Sequence, residues 1–446
     1  MRALIFAAIV VCVLLSCVGL CAEATNVGER HFAWDSIGGT LARDHQSRAM
    51  YFEGEHRRTY VVYMDHSFFA RITYYDHDEK TWVYPAVLLD DCIRPDDRFN
   101  HAYKDGHNVP NLFITGDGTI HVFYGAHGTV FRYARTKRPE DINPGNWELD
   151  RRVGSEGTYP FFSQTRDGTL HVFYRYSPTG GYKNPFLGLQ MTVDNGETWG
   201  DIQKLATFPE ACKIYRGAYD PVRNRVHLLI SPRGPLGGYH GAVHCMYAPE
   251  SGKLLSLTGA ELGPMGTVES FQAGVPMVFQ GLVDFVLYEG RPHFLYEDPE
   301  GRYRFGYWGD GSWIDFPDTE GTFACLDQRP VIHTTDGQTF RVYGIAEWDF
   351  ERELYGGDIR MWESTDGGKT WSDGTLIADR EDFNHGFQQI NKVMNYSGTG
   401  PILIAAEPTG PWPEGWEKTQ FTHYDNPSRR DKRLYAFDVD GTVIGR

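Results

Sequence analysis

Cysteine is scarce: the chain has seven in 446 residues, and three of these, Cys12, Cys17 and Cys21, crowd into the first 24. The remaining four, Cys92, Cys212, Cys245 and Cys325, are too few and too scattered to build a disulfide scaffold, so apolar packing must hold the fold. Positive charge is also in deficit. A formal net charge of -16 excludes the basic surface that neutralises phosphates, and with it a nucleic-acid binder. After the N-terminal leader no run approaches the ~18 apolar residues of a membrane span. Helical periodicity is sparse as well, whereas Gly (50 residues), Tyr (26) and Phe (27) are abundant, a balance that favours strands and tight turns.

The leader itself has Arg2, an apolar run from Ala3 to Leu20 and the small-residue stretch Cys21-Ala22-Glu23-Ala24. It reads as a secretory signal over residues 1–24, which directs the chain outside the cell or into a periplasm. Leu14-Leu15-Ser16-Cys17 offers the alternative of a lipoprotein signal, with Cys17 acylated and the protein held at an outer membrane.

What remains, residues 25–446, is repetitive. Asp117-Gly-Thr-Ile-His-Val-Phe-Tyr124 and Asp167-Gly-Thr-Leu-His-Val-Phe-Tyr174 are nearly identical and fifty residues apart: an Asp-Gly turn feeding a strand, duplicated. Weaker copies lie at Arg58–Tyr63, Arg225–Ile230, Arg291–Tyr296, Phe340–Tyr343 and Pro401–Ile404, which makes seven. Thr192-Val-Asp-Asn-Gly-Glu-Thr-Trp199 and Ser364-Thr-Asp-Gly-Gly-Lys-Thr-Trp371 fit the Asp-box pattern, in which Asp bonds the turn backbone and Trp plugs between neighbouring sheets. Their Asp residues are therefore structural. The prediction is an all-β fold, a single seven-bladed β-propeller domain and a monomer. A six-bladed wheel with an accessory sheet is the alternative, since the seventh unit is the least regular.

In such a wheel the residues just before and after each repeated hairpin converge on one mouth. Those positions give Gly106-His107-Asn108 and Gly125-Ala-His127-Gly128 in unit two, Thr158-Tyr159-Pro160 and Arg175-Tyr176 in unit three. Unit four adds Tyr215, Arg216 and Arg233; unit six adds Arg329, and unit seven His385. The set is rich in His, Tyr and Arg and poor in carboxylates. An ordinary glycosidase needs a pair of Asp/Glu residues; β-elimination from a uronate needs a cation for the carboxylate, a base for the C5 proton and an acid for the departing O4. His121 and His171 lie inside the strands and read as packing residues. His107, His127, Tyr159 and Arg175 are the catalytic candidates; Asn108, Tyr176, Tyr215, Arg216, Arg233, Arg329 and His385 are candidates for holding substrate.

The motifs Tyr74-Tyr-Asp-His-Asp78 through Trp82, Gly106-His-Asn-Val-Pro110, Asp117 through Gly128, Arg138-Pro-Glu-Asp-Ile142 with Trp147, and Thr158-Tyr-Pro160 through Arg175 resemble the BNR-repeat-containing propeller family that includes the ulvan lyases and related rhamnose-glucuronate lyases. The resemblance is clear over about residues 45 to 200 and fades to general propeller features beyond. It implies that His107, His127, Tyr159 and Arg175 line a catalytic mouth, where Tyr159 or His107 exchanges the C5 proton, His127 orients or protonates, Arg175 binds the carboxylate, and Tyr215 or Tyr219 adds a further wall contact that holds substrate. The product would be a Δ4,5-unsaturated uronate. Asn108-Val-Pro110 replaces the family's glycine-arginine-proline, which bears on the substrate more than on the reaction. The resemblance also brings in a structural zinc, for which His240, His244 and Cys245 have suitable side chains, although adjacent strand residues face opposite ways. No cofactor is expected for catalysis. Two other functions fit the same likeness: an α-L-rhamnosidase-type hydrolase acting on rhamnose-glucuronate, and a non-catalytic propeller that captures acidic glycans.

Overall fold

A computed structural model describes residues 30–36, 47–92, 108–125, 127–176, 185–207, 212–232, 243–264, 281–298, 300–316, 323, 330–346, 357–383, 387, 389–408 and 432–446; for some strand residues, His127 and Tyr215 among them, only the backbone is described. The predicted leader lies outside these ranges.

The duplicated turns fold identically. In the first, the Asp117 carboxylate accepts from Thr119 N (3.1 Å) and Thr115 Oγ1 (2.6 Å), and Gly118 takes φ 83°. In the second, Asp167 accepts from Thr169 N (3.1 Å) and Thr165 Oγ1 (2.7 Å), with Gly168 at φ 85°. A side chain would strain that left-handed position, which is why glycine recurs there.

These turns join strands into antiparallel four-stranded units. Strand β1 (Ala33–Ser36) is followed by β2 (Ala49–Glu53), β3 (Arg57–Met64), β4 (Phe69–Asp76), β5 (Thr81–Trp82) and β6 (Val87–Asp91), the last two both pairing with β4. Next come β7 (Asn111–Ile114), β8 (Ile120–Tyr124), β9 (His127–Thr136) and β10 (Trp147–Gln164). Strand β10 is long enough to pair with β9 through its first part and with β11 (Leu170–Tyr176) through its last, before β12 (Phe186–Thr192) and β13 (Gln203–Thr207). Three separate sheets follow: β14 (Cys212–Asp220) to β17 (Lys253–Leu255), β18 (Gly281–Tyr288) to β21 (Ser312–Asp315), and β22 (Val331–Thr334) to β25 (Thr375–Ala378). The chain ends with β26 (Gln389–Met394), β27 (Leu403–Pro408) and β28 (Lys432–Phe437), and β1 returns from the other terminus to pair with β28. Among the described residues there is no α-helix, so the all-β prediction holds.

The first strands of successive units touch in a closed cycle: β2 with β7, β7 with β10, β10 with β14, β14 with β18, β18 with β22, β22 with β26, and β26 back to β2 in parallel pairing. Each sheet therefore covers both neighbours, giving a propeller-like body. Strand β8 shows the consequence. Ile120, Val122 and Tyr124 pack into the core shared with β2–β4, Phe123 packs into that of the following unit, and all are buried. The Asp boxes lock these layers: Asp194 holds Thr198 N (2.9 Å) and Thr198 Oγ1 (2.6 Å), while Trp199 reaches back edge-on to Phe123 and Tyr133 of the preceding unit. Asp194→Ala is expected to lower the thermal midpoint by about 2–4 °C without changing turnover per folded molecule, read by calorimetry beside an activity assay.

His121 belongs to the same latch. Its Nε2–H donates to Asn195 Oδ1 (3.1 Å) and the Tyr133 hydroxyl donates to its Nδ1 (2.6 Å), with that tautomer following from the amide oxygen as acceptor. Burial pushes its pKa down to about 4. Because the folded value lies below the unfolded one near 6.5, stability is complete above pH 6.5 and is lost as pH falls toward 4, on the order of 3 kcal/mol from this residue. Urea midpoints measured from pH 7.5 to 4.5 should fall steeply for the wild type and less steeply for His121→Gln; equal slopes would refute the assignment.

The axis of the ring is polar. Asp284 on β18 is fully buried and accepts Lys392 Nζ from β26 (2.9 Å to each oxygen) and Ile332 N from β22 (2.9 Å), while Arg216 Nε from β14 lies 3.4 Å away. Four first strands are thus tied through one carboxylate. Nearby, buried Arg48 donates to Asn111 Oδ1 (2.8 Å) and to Pro110 O; desolvation, then the charge of Arg216, lowers its pKa to about 9.

Candidate functional site

The predicted mouth lies where β9, β10 and β11 run side by side. Thr158 on β10 pairs with His127 on one flank and with Arg175 on the other, so these residues form a single row across the sheet. Neighbouring strands lie ~4.8 Å apart, which sets the pitch of that row. The turn before His127 is anchored by Gly125 N donating to Asn108 O (3.1 Å). Gly125 has φ 67°, and a Cβ there would meet Cys92 O and the Arg132 guanidinium at 2.9 Å, so no larger residue fits. Buried Asn108 is thereby held beside the turn before His127.

The next residue breaks the ladder. Thr158 faces Arg175 and Phe161 faces Phe173, so β10 carries one more residue than β11 over that stretch. Tyr159 occupies this bulge in the left-handed region, at φ 58°. For a non-glycine residue that conformation costs ~1–3 kcal/mol, and bulges and such strain concentrate where a side chain is re-aimed for function. The result is contact with Arg175, whose guanidinium carbon lies 5.0 Å from the centre of the Tyr159 ring. Both side chains are almost inaccessible, at 3% and 4% exposure, so their interaction is little screened by water.

Other predicted residues are placed as follows. Tyr176 is partly buried, edge-on to Tyr174 and tilted against Phe186. Tyr215 is the extra residue of a second bulge, between Ile214 and Arg216, at the matching point of β14. Arg216 is turned into the axial hub on Asp284 rather than presented as an open anion receptor. Tyr219 is not brought to this end of the sheet. Its hydroxyl donates to Asn224 Oδ1 (2.8 Å) and accepts from Arg166 N (2.9 Å), among the hairpins at the far end of β14, because the strand extends well beyond the bulge. His107, Arg233, Arg329, His385 and His240 lie outside the described residues.

Of the candidate zinc ligands, His244 and Cys245 face opposite ways, and His240 lies outside the described residues. Strand β16 (Val243–Ala248) is regular, so Cys245 packs into the core with Leu228 and Tyr247, whereas His244 points the opposite way, toward Phe285 and Phe294. His244 instead shares a 2.9 Å hydrogen bond with His227 Nδ1. Groups on opposite faces of one sheet cannot ligate one ion, and among the described residues no cluster of three His, Cys, Asp or Glu is arranged to hold a metal.

Arg132 was not foreseen. Buried within Phe131-Arg132-Tyr133 on β9, it stands opposite Tyr124, with its guanidinium 5.4 Å from that ring and close against Gly125. The signal available was a cation inside an otherwise apolar strand; only the register shows that it borders the His127 turn.

Comparison with known proteins bears on the family and the fold. Residues 58–269 match a family model described as BNR repeat-containing family member. The chain is 22% identical to an ulvan lyase of Nonlabens ulvanivorans over 459 residues, covering 90% of this chain and 91% of that protein. It is 27% identical to an ulvan lyase of Alteromonas sp. (strain LOR) over 184 residues, 38% and 36% of the two chains. A solved ulvan lyase structure, described as a new polysaccharide lyase family, superposes with a TM-score of 0.69 at 18% identity, covering 94% of this chain and 97% of the other. A second, solved bound to -[GlcA(1-4)Rha3S]-, gives 0.67 at 17% identity with the same coverage. By its repeat over residues 58–269 and by its fold, this chain is similar to the BNR-repeat-containing propeller family that includes the ulvan lyases.

Proposed function

We propose that the chain is a polysaccharide lyase that cleaves an ulvan-like rhamnose-uronate glycan by β-elimination. The observation that carries this reading is the strained Tyr159 pressed against Arg175 in the same row as His127. The relatives named above as ulvan lyases support it, as does the shortage of Asp/Glu pairs among the sequence positions assigned to this mouth.

Elimination begins when a base removes the C5 proton of the uronate, and electron density moves onto its carboxylate. Arg175 supplies a permanent cation for that charge. In this reading Tyr159, whose ring lies against the Arg175 guanidinium, acts as the base, with His107 as the alternative at that step. Collapse of the carbanion forms the C4=C5 double bond and breaks the C4–O4 bond, and O4 departs with a proton from Tyr159 or His127. The groups needed are two proton-exchanging side chains and a cation, which His127 and Arg175 of the row and Tyr159 in the adjoining bulge supply.

The reading extends to the whole chain: the four-stranded units are the seven blades of one propeller over residues 25–446, closed by β1 on β28, with residues 1–24 as a secretory signal that sends the enzyme to its extracellular or periplasmic polymer. Incubation with ulvan should yield the ultraviolet absorbance of a Δ4,5-unsaturated uronate. New reducing ends without that absorbance would reject elimination, and free saturated rhamnose would identify the hydrolase instead.

A further inference from the structure

At the far end of the sheets from Tyr159, a cavity of about 520 Å³ opens between the β14–β17 and β18–β21 sheets. That it is the far end follows from the parallel course of β10 and β14: Phe161 packs on Gly217, and Arg166 N bonds Tyr219 Oη beyond it. Tyr159 and Arg166 are seven residues apart along β10 and its hairpin, about 23 Å at strand rise. The cavity is lined by Arg223, Arg225, Arg291, Trp308 and, at its base, His227, with Asp310 contributing a carboxylate. Its size lies within the range of ~300–1,000 Å³ typical of small-molecule clefts.

Three guanidinium groups in one cleft are unexpected on a chain of net charge -16. Two are anchored from behind. Arg223 is 3.3 Å from buried Asp220 and donates to Gly290 O; Arg225 is 2.5 Å from Glu250 and donates to Asn224 O (2.9 Å). Arg291 is exposed, sits 5.4 Å above the Tyr307 ring, and pairs with no carboxylate of the described residues. At the base, buried His227 uses Nδ1 on His244, while its Nε2 finds only Asp220 Oδ2 at 3.9 Å. Trp308 adds a half-buried aromatic wall. Guanidinium forks suit sulfate or carboxylate oxygens, and an aromatic wall suits the apolar face of a sugar ring.

We propose that this cleft is a second glycan site, which holds an anionic sugar unit of the polysaccharide, bearing sulfate or uronate, away from the bond being cut. This rests on the lyase reading for the identity of the polymer. A long polyanion, disfavoured by the chain's net charge of -16, is captured here and kept on the enzyme while another part of it reaches the catalytic mouth. The site recognises charge and ring together, so a neutral polymer is not retained.

The test uses the full chain carrying Tyr159→Phe, so that polymer is bound and not consumed, in native gels containing graded ulvan. Adding Arg225→Ala and Arg291→Ala should weaken the apparent Kd about fivefold, as expected for two partly solvated charge contacts. Arg291→Gln, at an exposed position, carries the same test where the double variant fails to fold. Retardation equal to that of the Tyr159→Phe parent would overturn the site. A wild type that forms no unsaturated uronate while the arginine variants still lose retardation would refute the lyase reading and leave the cleft standing.

Discussion

Tyr159→Phe should reduce formation of the unsaturated uronate by about a thousandfold or more while leaving the fold intact, the loss typical of a removed acid–base group. The substitution is informative because it deletes one oxygen and little else. Phenylalanine keeps the ring against Arg175 and accepts the same backbone angles, so the bulge between Thr158 and Phe161 persists. Without the phenol the carboxylate can still dock on Arg175, so binding should survive and kcat should fall, not KM alone. Single-turnover assays on ulvan, beside a circular dichroism melt, separate the two. Activity within tenfold of wild type would move the proton transfer to His107 or His127. Arg175→Lys is a useful companion: it keeps the charge but loses the planar fork and the stacking on Tyr159, so a loss there reports geometry and not charge.

How much of this could be read from the residues varies with the range of the interaction. The Asp117 and Asp167 turns, the Asp boxes and the strands they feed are local, and each was legible because a carboxylate two to four residues from the amide it binds is a short-range device. Tyr159 and Arg175 were legible as a pair for the same reason, being on adjacent strands of one hairpin. Arg216 was not. Its neighbours suggested an open mouth, but its partner Asp284 lies 68 positions away, on the next unit, and nothing local announces that pairing. Tyr219 was misplaced because spacing identifies a strand without fixing which of its residues reach the mouth; the bulge and strand length decide that. Adjacent residues on β16 were known to diverge, and His244 and Cys245 do.

The largest stability effect is expected at the axis, from Asp284→Asn. Four first strands meet this carboxylate, and the amide that replaces it keeps the shape but cancels the charge. Lys392 and Arg216 would then face each other's field inside the ring without an anion between them. Desolvation already lowers the Lys392 pKa, and the attraction of Asp284 is what opposes that shift. Breaking one side of a buried ion pair costs ~3–5 kcal/mol, because the surviving charge is stranded in a medium that solvates it poorly. Urea denaturation at pH 7.5 reads that loss directly. The double variant Asp284→Asn/Lys392→Met should recover more than half of it, since removing the stranded ammonium removes the main penalty, while leaving Ile332 N an acceptor in the amide oxygen. A loss below ~1 kcal/mol for Asp284→Asn would mean that water reaches the axis and screens the pair. Recovery in the double variant would instead identify the carboxylate as the counter-charge that lets cationic first strands close into a ring, which links the polar axis to the same row of strands that positions Tyr159.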